Sequence, residues 1–372
     1  MKRAAKNVVK RLEQYQQAQP DQLALFQEIL DAGDAYSNTI ALYDFIPKYF
    51  HGNATRINGQ FLPTLERQFP YKDAITGEEV KYTVQIFPAR IKNGKGEEKD
   101  YYPSEREEFV EDALRKLACD RTRGYFLDDE AGVVFTLYEL QEELRKNGHT
   151  YNLHQIKEAL LICARTGVEL YVASGEGKST LELSSSLFDT VGLATRDDWK
   201  GHGKEARCFV RFNWLVTQCI KNGTFRPINY EKSMRLKRVI ARHLFKRMSH
   251  HYTQASLDKP YTILLSTVIR LFGLTAYKDT RNNWRQLKEA LEELKAADVV
   301  LSYEQANVYD EKRKNKIADV KITIKPDPRF TNEMRKFNAI NRDMRQQLPD
   351  DVHRARVERQ RDLLLGQGRQ EA

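Results

Sequence analysis

The 372 residues are enough for two domains of ordinary size, and with 41% hydrophobic residues the chain can bury apolar cores. Its net charge of +9 is unevenly divided, because Glu231–Ala372 holds 30 Lys and Arg against 19 Asp and Glu, a net of +11. The preceding 230 residues carry a net charge of −2. A basic second half predicts a polyanionic partner, for which nucleic acid and an anionic membrane surface both qualify.

The four cysteines are far apart in the chain and form no Cys-x-x-Cys pair: Cys119, Cys163, Cys208 and Cys219. This spacing argues against a zinc site and against a disulfide framework. We therefore expect a reducing, cytoplasmic compartment and no metal or other cofactor. No stretch approaches the roughly 20 apolar residues that a membrane helix needs, so we expect no membrane partner.

Residues 1–35 are charged and rich in Gln, which is typical of a flexible leader. They hold one compact apolar cluster, Gln22-Leu23-Ala24-Leu25-Phe26. As a linear anchor, Leu23, Leu25 and Phe26 would fill an apolar pocket of a partner while Gln22 forms a hydrogen bond at its rim. The alternative is that these residues begin a helix, Asp21–Leu30, that packs on the following domain.

The next predicted elements are a strand and a helix. Val80–Ile91 alternates between apolar and polar residues, and a Gly-rich, charged break at Asn93–Asp100 follows it. Ser104 and Glu107 have the spacing of a capping box at the start of a helix. The apolar stripe of this helix has helical spacing and consists of Phe109, Val110, Ala113, Leu114 and Leu117.

An internal repeat determines the predicted architecture. With an offset of 131 positions, Thr136–Leu170 aligns with Thr267–Leu301 without a gap, and Gln155–Leu160 (QIKEAL) matches Gln286–Leu291 (QLKEAL). The alternative is a chance likeness of two amphipathic helices. The ungapped match over about 35 residues favours a true repeat.

Each copy has the same order of predicted elements: a helix, a polar turn, a second helix and a β-rich run. In the first copy the first helix is Thr136–Lys146 and the β-rich run is Val168–Ala173. In the second copy the first helix is Leu264–Phe272 and the β-rich run is Val299–Tyr303. A further helix precedes each pair, at Ser104–Cys119 and Lys232–Tyr252.

Three helices that close on a β-hairpin describe a winged helix. We therefore predict an α+β fold with two tandem winged-helix domains, residues 36–228 and 229–330, related by the repeat. From residue 331 to 372 the chain is polar and highly charged, which predicts a basic helix that frays into a partly disordered tail.

The second helix of each copy should enter the major groove of DNA by its N-terminal residues. In the second copy these are Arg281, Asn282, Asn283, Arg285, Gln286 and Lys288. Because Arg forms bidentate bonds to guanine, and Asn or Gln to adenine, these residue types suit base reading. The first copy offers a weaker and less basic set: Asn152, His154, Gln155 and Lys157. The alternative is that all of them are simply exposed polar positions.

Basic residues around the second copy favour DNA. The predicted helix Lys232–Tyr252 carries Arg235, Lys237, Arg238 and Arg242, besides Lys232, Lys246 and Arg247. A predicted wing between the strands Glu304–Tyr309 and Val320–Ile324 carries Lys312, Arg313, Lys314 and Lys316. Such clusters bind phosphates without reading sequence.

Two short motifs argue against an enzyme. Val172–Ser179 lacks the first Gly of a phosphate-binding loop, and the alternating residues that follow predict a strand, so the turn of a first wing fits better. His250 and His251 precede Tyr252, as in nicking enzymes, but adjacent residues on a helix point about 100° apart and do not face one metal ion. We expect no catalytic residues.

The peptide Gln22–Phe26 resembles the Gln-Leu-x-Leu-Phe motif by which bacterial replication proteins dock on the sliding clamp. With the segments Thr39–Tyr49, Tyr82–Phe87, Phe135–Leu140 and Arg235–Phe245, it resembles the TrfA-like and RepA-type plasmid replication initiators. This resemblance spans about residues 22–325 and has no single diagnostic motif. The tail after Thr331 is longer than the family pattern.

The resemblance implies binding to repeated origin sequences (iterons) in double-stranded DNA, local opening of the origin, and recruitment of the host helicase, the host initiator and the sliding clamp. It also implies a self-dimer that is inactive for initiation and a monomer that binds the repeats. Two alternatives stay open at this point. One is a transcriptional repressor built from the same modules, and the other is a nicking replication enzyme.

Overall fold

The computed structural model describes residues 35–40, 42–52, 61–72, 79–92, 96–120, 123–127, 130–174, 178–194, 200–203, 206–221, 225–252, 255–256, 258–272, 280–309 and 317–347. Within these ranges strands and helices alternate in a mixed α+β fold, as the sequence predicts. The peptide Gln22–Phe26 and the chain beyond Gln347 lie outside the described residues.

The strands are β1 (Tyr36–Ile40), β2 (Leu65–Lys72), β3 (Glu79–Phe87), β4 (Ala89–Lys92), β5 (Glu98–Tyr101), β6 (Gly124–Leu127), β7 (Glu130–Thr136), β8 (Gly167–Ser174), β9 (Lys178–Ser186), β10 (Phe188–Gly192), β11 (Arg207–Phe212), β12 (Phe225–Asn229), β13 (Tyr261–Leu264), β14 (Val300–Tyr309) and β15 (Ile317–Pro326). The helices that concern the site are α1 (Glu105–Ala118), α2 (Leu137–Lys146), α3 (Leu153–Arg165), α4 (Trp214–Lys221), α5 (Tyr230–Arg235), α6 (Val239–His251), α7 (Leu265–Leu271), α8 (Thr280–Ala296) and α9 (Pro328–Gln347).

The second predicted winged helix is confirmed by the order and pairing of its elements. Helix α6 leads to β13, and α7, α8 and the hairpin β14–β15 follow. The sheet has the order β13-β15-β14 with antiparallel neighbours, and Tyr261 lies opposite Ile324. Three helices packed on a sheet whose last two strands form a hairpin are the parts of a winged helix.

The first unit has the same three helices and hairpin but a differently built sheet. Helices α1, α2 and α3 precede the hairpin β8–β9, and β3 and β2 extend this hairpin to the order β2-β3-β8-β9. Strand β7, which leads into α2, pairs instead with β11 in the sheet β10-β11-β7-β6. These pairings were not predicted from the sequence, because periodicity identifies a strand but does not identify a distant partner.

The second helices of the two copies, α3 and α8, pack through equivalent residues. Ile156, Ala159 and Leu160 on α3 are all fully buried, and so are the aligned residues Leu287, Ala290 and Leu291 on α8. The copies then diverge along the following strand. Leu170 is 1% exposed, whereas its counterpart Leu301 is 51% exposed and lies at a shift in the pairing register of β14, between Val300 and Ser302.

The predicted continuous helix Lys232–Tyr252 is wrong, since the chain forms the two helices α5 and α6 with a break between them. Leu236 has extended backbone angles (φ −68°, ψ 119°) and is buried. The backbone N–H groups of Lys237 and Arg238 donate to the carboxylate of Glu293 on α8, at 2.7 and 3.1 Å. A side chain from another helix therefore holds the chain just before α6, and a local sequence pattern does not reveal such a contact.

The single predicted strand Val80–Ile91 is divided at Pro88 into β3 and β4. The first part of the predicted tail is the packed helix α9, which buries Phe330, Met334 and Phe337. The rings of Phe330 and Phe245 lie 6.3 Å apart, so α9 contacts α6.

Most of the buried apolar side chains described in both units form one continuous cluster, and two smaller clusters lie apart from it in the first unit. Strand β12 ends at Asn229, pairs antiparallel with β1, and leads directly into α5. The domain boundary at residues 228 and 229 therefore stays a prediction. No helix in the described ranges is both long and apolar enough to span a membrane.

Candidate nucleic-acid interface

Helix α8 is held by one apolar face and presents the opposite face to solvent. Its fully buried residues are Leu287, Ala290, Leu291 and Leu294, and the helix packs against α6, α7 and β14. This spacing of three and four residues is the apolar stripe of an amphipathic helix. The stripe fixes which side chains of α8 face outward.

The outward side chains in the first half of α8 are basic. Arg281, Arg285 and Lys288 are exposed, and their i, i+4, i+7 spacing places them on one face. The other predicted base-reading residues, Asn282, Asn283 and Gln286, are half-buried beside this face. We call Arg281, Arg285 and Lys288 the basic face of α8. Bidentate guanidinium groups at the start of such a helix are suited to guanine and to phosphate.

The predicted wing is the hairpin β14–β15. Its last described pair is Tyr309 opposite Ile317, and both side chains are exposed. The predicted phosphate-binding residues Lys312, Arg313, Lys314 and Lys316 lie in the connecting segment, outside the described residues.

The predicted basic residues that precede α6 lie near α8. Arg235, Lys237 and Arg238 are all exposed. Arg235 pairs with Glu231 at 3.2 Å, and Arg238 pairs with Glu289 of α8 at 2.7 Å. Surface pairs of this kind contribute little stability and leave both partners accessible.

The prediction that Arg242 binds DNA is wrong. Its side chain is 0% exposed and donates to Glu105 and Glu108 of α1, at 3.0 and 3.1 Å. Its guanidinium also lies 4.3 Å from the centre of the Phe109 ring. Because α1 covers this face of α6, the charge serves the contact between the two units.

In the first unit, Asn152 and Gln155 form a capping box on α3. The Asn152 side chain accepts from the Gln155 backbone N–H, and the Gln155 side chain accepts from the Asn152 N–H, both at 2.9 Å. These amide oxygens thus satisfy helix N–H groups instead of facing DNA. Lys157 is half-buried and His154 is exposed, so α3 has no counterpart of the basic face of α8.

A buried charge network, which was not predicted from the sequence, joins α1 and α6. Five charged residues of α1 are at most 6% exposed: Glu107, Glu108, Glu111, Asp112 and Arg115. Lys246 of α6 lies 2.6 Å from Asp112 and 3.2 Å from Glu108. The sequence did contain one signal for this network. Carboxylates are clustered on α1, and cations recur at three- and four-residue spacing on α6.

Two carboxyl pKa values in this network are displaced. Burial alone would raise the pKa of the Glu108 carboxyl, but Arg242, with His243 and Lys246, holds it well below its usual range. Burial likewise opposes ionisation of Asp44, and the attraction of Arg115, 2.8 Å away, lowers its pKa to about 2. Both carboxylates are therefore ionised at neutral pH.

Neither motif weighed as a possible catalytic site forms one. His250 is 4% exposed, its Nδ1 lies 3.0 Å from the Thr39 hydroxyl, and its ring contacts Phe45. Lys178 begins strand β9, so the helix that a phosphate-binding loop requires does not follow it.

No protein-family model and no curated protein sequence matches the chain. Among solved structures, domains 2 and 3 of RctB (selenomethionine derivative) give a TM-score of 0.44 at 10% identity, covering 77% of this chain and 96% of that chain. The Pi initiator protein, solved in complex with iteron DNA, gives 0.38 at 13% identity, covering 60% and 91%. A second RctB structure, of domains 2–3, gives 0.35 at 11% identity, covering 71% and 92%.

Proposed function

We propose that this chain binds double-stranded DNA sequence-specifically, with α8 in the major groove and the β14–β15 wing on the flanking backbone. The observation that carries the proposal is the basic face of α8, formed by Arg281, Arg285 and Lys288 opposite a fully buried apolar stripe. The Arg281 and Arg285 side chains are exposed, whereas that of Arg242 is buried. They lie on the element that reads bases in winged-helix proteins.

We propose further that the DNA is a set of repeated origin sequences and that the chain initiates plasmid-type replication there. The support comes from the sequence, through its resemblance to plasmid initiators and through the clamp-like peptide Gln22–Phe26 in the leader. A transcriptional repressor has no use for such a peptide. Recruitment of a host helicase and host initiator, and a dimer that gives way to a DNA-binding monomer, belong to the same proposal.

We propose that the chain has no nicking activity of its own. His250 is buried against Thr39 and Phe45, so it is not available to hold a catalytic metal ion over a DNA strand. Incubation with supercoiled origin DNA and Mg²⁺ should give neither relaxed circles nor a covalent protein–DNA adduct.

Footprinting on the DNA that flanks the gene tests the central proposal. We expect protection of several ordered repeats by the wild-type chain and by Lys295→Ala, a matched control exposed near the end of α8. The double variant Arg281→Ala, Arg285→Ala should lose this protection. A single operator-like site would favour a repressor, and equal protection by the double variant would show that α8 does not read the DNA.

Clamp binding is tested separately, because the leader and α8 are far apart in the chain. The double variant Leu25→Ala, Phe26→Ala should lose affinity for a purified bacterial sliding clamp while its DNA footprint is unchanged. Unchanged clamp affinity would refute the docking peptide. Loss of the footprint as well would indicate that these residues pack on the folded domain.

A further inference from the structure

Three potential metal ligands meet where the two winged-helix units join. His51 lies in the segment between β1 and β2, Glu108 lies on α1, and His243 lies on α6. Their ligand atoms are all within 4.8 Å of one another. His243 Nε2 and Glu108 Oε1 are 3.3 Å apart, and the two imidazole rings stand perpendicular with centres 5.6 Å apart.

The distances suit a tetrahedral ion. With bonds of about 2.0–2.1 Å to His nitrogen and carboxylate oxygen, two ligand atoms of such a site lie about 3.3 Å apart. The pair formed by His243 and Glu108 already has this separation. A shift of the His51 ring by roughly 1.5 Å would bring the most distant ligand atom to the same spacing.

Two imidazole nitrogens of the cluster are buried without a hydrogen-bond partner in the described part of the chain. They are the Nε2 atoms of His51 and His243. A buried polar atom without a partner costs free energy unless something satisfies it. The close approach of Glu108 to His243 lacks hydrogen-bond geometry, so this contact does not account for the two nitrogens.

The two cations beside the cluster have carboxylates of their own. Arg242 is paired with Glu105 at 3.0 Å and also donates to Glu108 Oε2 at 3.1 Å. Lys246 Nζ donates to Asp112 at 2.6 Å and to Glu108 Oε1 at 3.2 Å, and Oε1 is also the oxygen that lies 3.3 Å from His243 Nε2. A metal ion bound at Oε1 would therefore share that oxygen with Lys246 or leave Lys246 to Asp112. Arg242 can thus orient the Glu108 carboxylate from behind, as outer-shell groups do at metal sites.

A small surface pocket borders the cluster at His243. His243 lines this pocket together with Asp44, Phe45, Lys246, Arg247, Leu271 and Phe272. The His243 side chain is 13% exposed, although its Nε2 atom is buried. An ion would enter past His243 and keep a water molecule in its fourth position.

We propose that His51, Glu108 and His243 bind one divalent transition-metal ion, with Zn²⁺ the best match to two imidazoles and a carboxylate. The ion ties the segment after β1 to α1 and α6 and so stabilises the junction between the two units. This proposal is independent of the DNA-binding function, because none of its ligands lies on α8 or on the wing.

The test is a titration of the full-length chain with Co²⁺ after chelator treatment and dialysis. We expect one equivalent to bind with the intense visible absorption of tetrahedral Co²⁺, and Zn²⁺ to displace it. Saturating Zn²⁺ should raise the Tm by a few degrees, since a ligand that binds only the folded state stabilises it. The tetrahedral spectrum should be lost in His51→Gln and in His243→Gln.

The matched control is His154→Gln, which removes an exposed imidazole on α3 and should leave both the spectrum and the Tm shift unchanged. Circular dichroism establishes that each variant is folded. The proposal fails if the wild-type chain takes up no stoichiometric Co²⁺, or if folded His51→Gln and His243→Gln bind it as the wild type does. The wild-type titration tests the proposal even if a variant does not fold.

Discussion

Helices α3 and α8 occupy equivalent places in the two copies of the repeat, and their buried faces match while their outer faces differ. Each helix buries four positions in the same register: Ile156, Ala159, Leu160 and Cys163 on α3, and Leu287, Ala290, Leu291 and Leu294 on α8. On the outside, α3 begins with a capping box and α8 begins with the basic face.

The buried faces of these two helices maintain the fold, whereas their outer faces determine what each helix can bind. The buried register docks the helix on its neighbours, so it is equivalent in both copies. The outer positions do not contribute to this docking and are free to differ. We infer that the second unit supplies most DNA affinity, and that the first unit is freer to contact another copy of the chain or to touch DNA weakly.

The largest expected effect is on stability, and it differs between the loss of a buried cation and the loss of an exposed cation of the second unit. Arg242→Ala should lower the free energy of unfolding by about 3–5 kcal/mol, because it removes the fully buried cation that pairs with Glu108 Oε2 and leaves only Lys246 to balance that carboxylate. Arg235→Ala, at an exposed pair, should change it by less than about 1 kcal/mol. Urea denaturation of both variants measures the difference, and similar values would contradict the assigned burial.

The equivalence of the buried faces is tested by one truncation in each copy. Leu160→Ala and Leu291→Ala should each lower the free energy of unfolding by about 2–5 kcal/mol, because both side chains are fully buried. Chemical denaturation gives both values. A cost near zero for either variant would mean that its helix is not docked as its counterpart is.

The difference between the outer faces is tested by affinity for the protected DNA. Arg285→Ala should weaken specific binding by about 1–3 kcal/mol and relax specificity at one base pair if it reads a guanine. The double variant Gln155→Ala, Lys157→Ala should have a smaller effect. If the double variant abolishes specific binding while Arg285→Ala leaves it intact, the roles of the two units are reversed.

The smallest effect concerns the wing. Lys314→Ala should weaken binding about equally on specific and unrelated DNA and reduce the slope of log affinity against log salt by about one unit, because one phosphate contact is lost. Fluorescence anisotropy over a range of salt concentrations measures the slope. A loss confined to the specific sequence would show that Lys314 reads a base.

Local patterns in the sequence determined much of the helical framework. Ser104 and Glu107 form the predicted capping box on α1, and the offset of 131 positions correctly aligned the buried faces of α3 and α8. These features are predictable because capping and amphipathic packing act over three or four residues. The basic face of α8 was accessible for the same reason, once the apolar stripe had been assigned.

Only the tertiary structure decided which polar faces are covered. Helical periodicity shows that Arg242 and Lys246 share a face of α6, but it does not show that the carboxylates of α1 lie against that face. The group formed by His51, Glu108 and His243 was unpredictable for the same reason, since its members are brought together from three distant segments. Sequence spacing indicates which side chains are neighbours on one element, whereas burial and pairing between elements depend on how the chain packs.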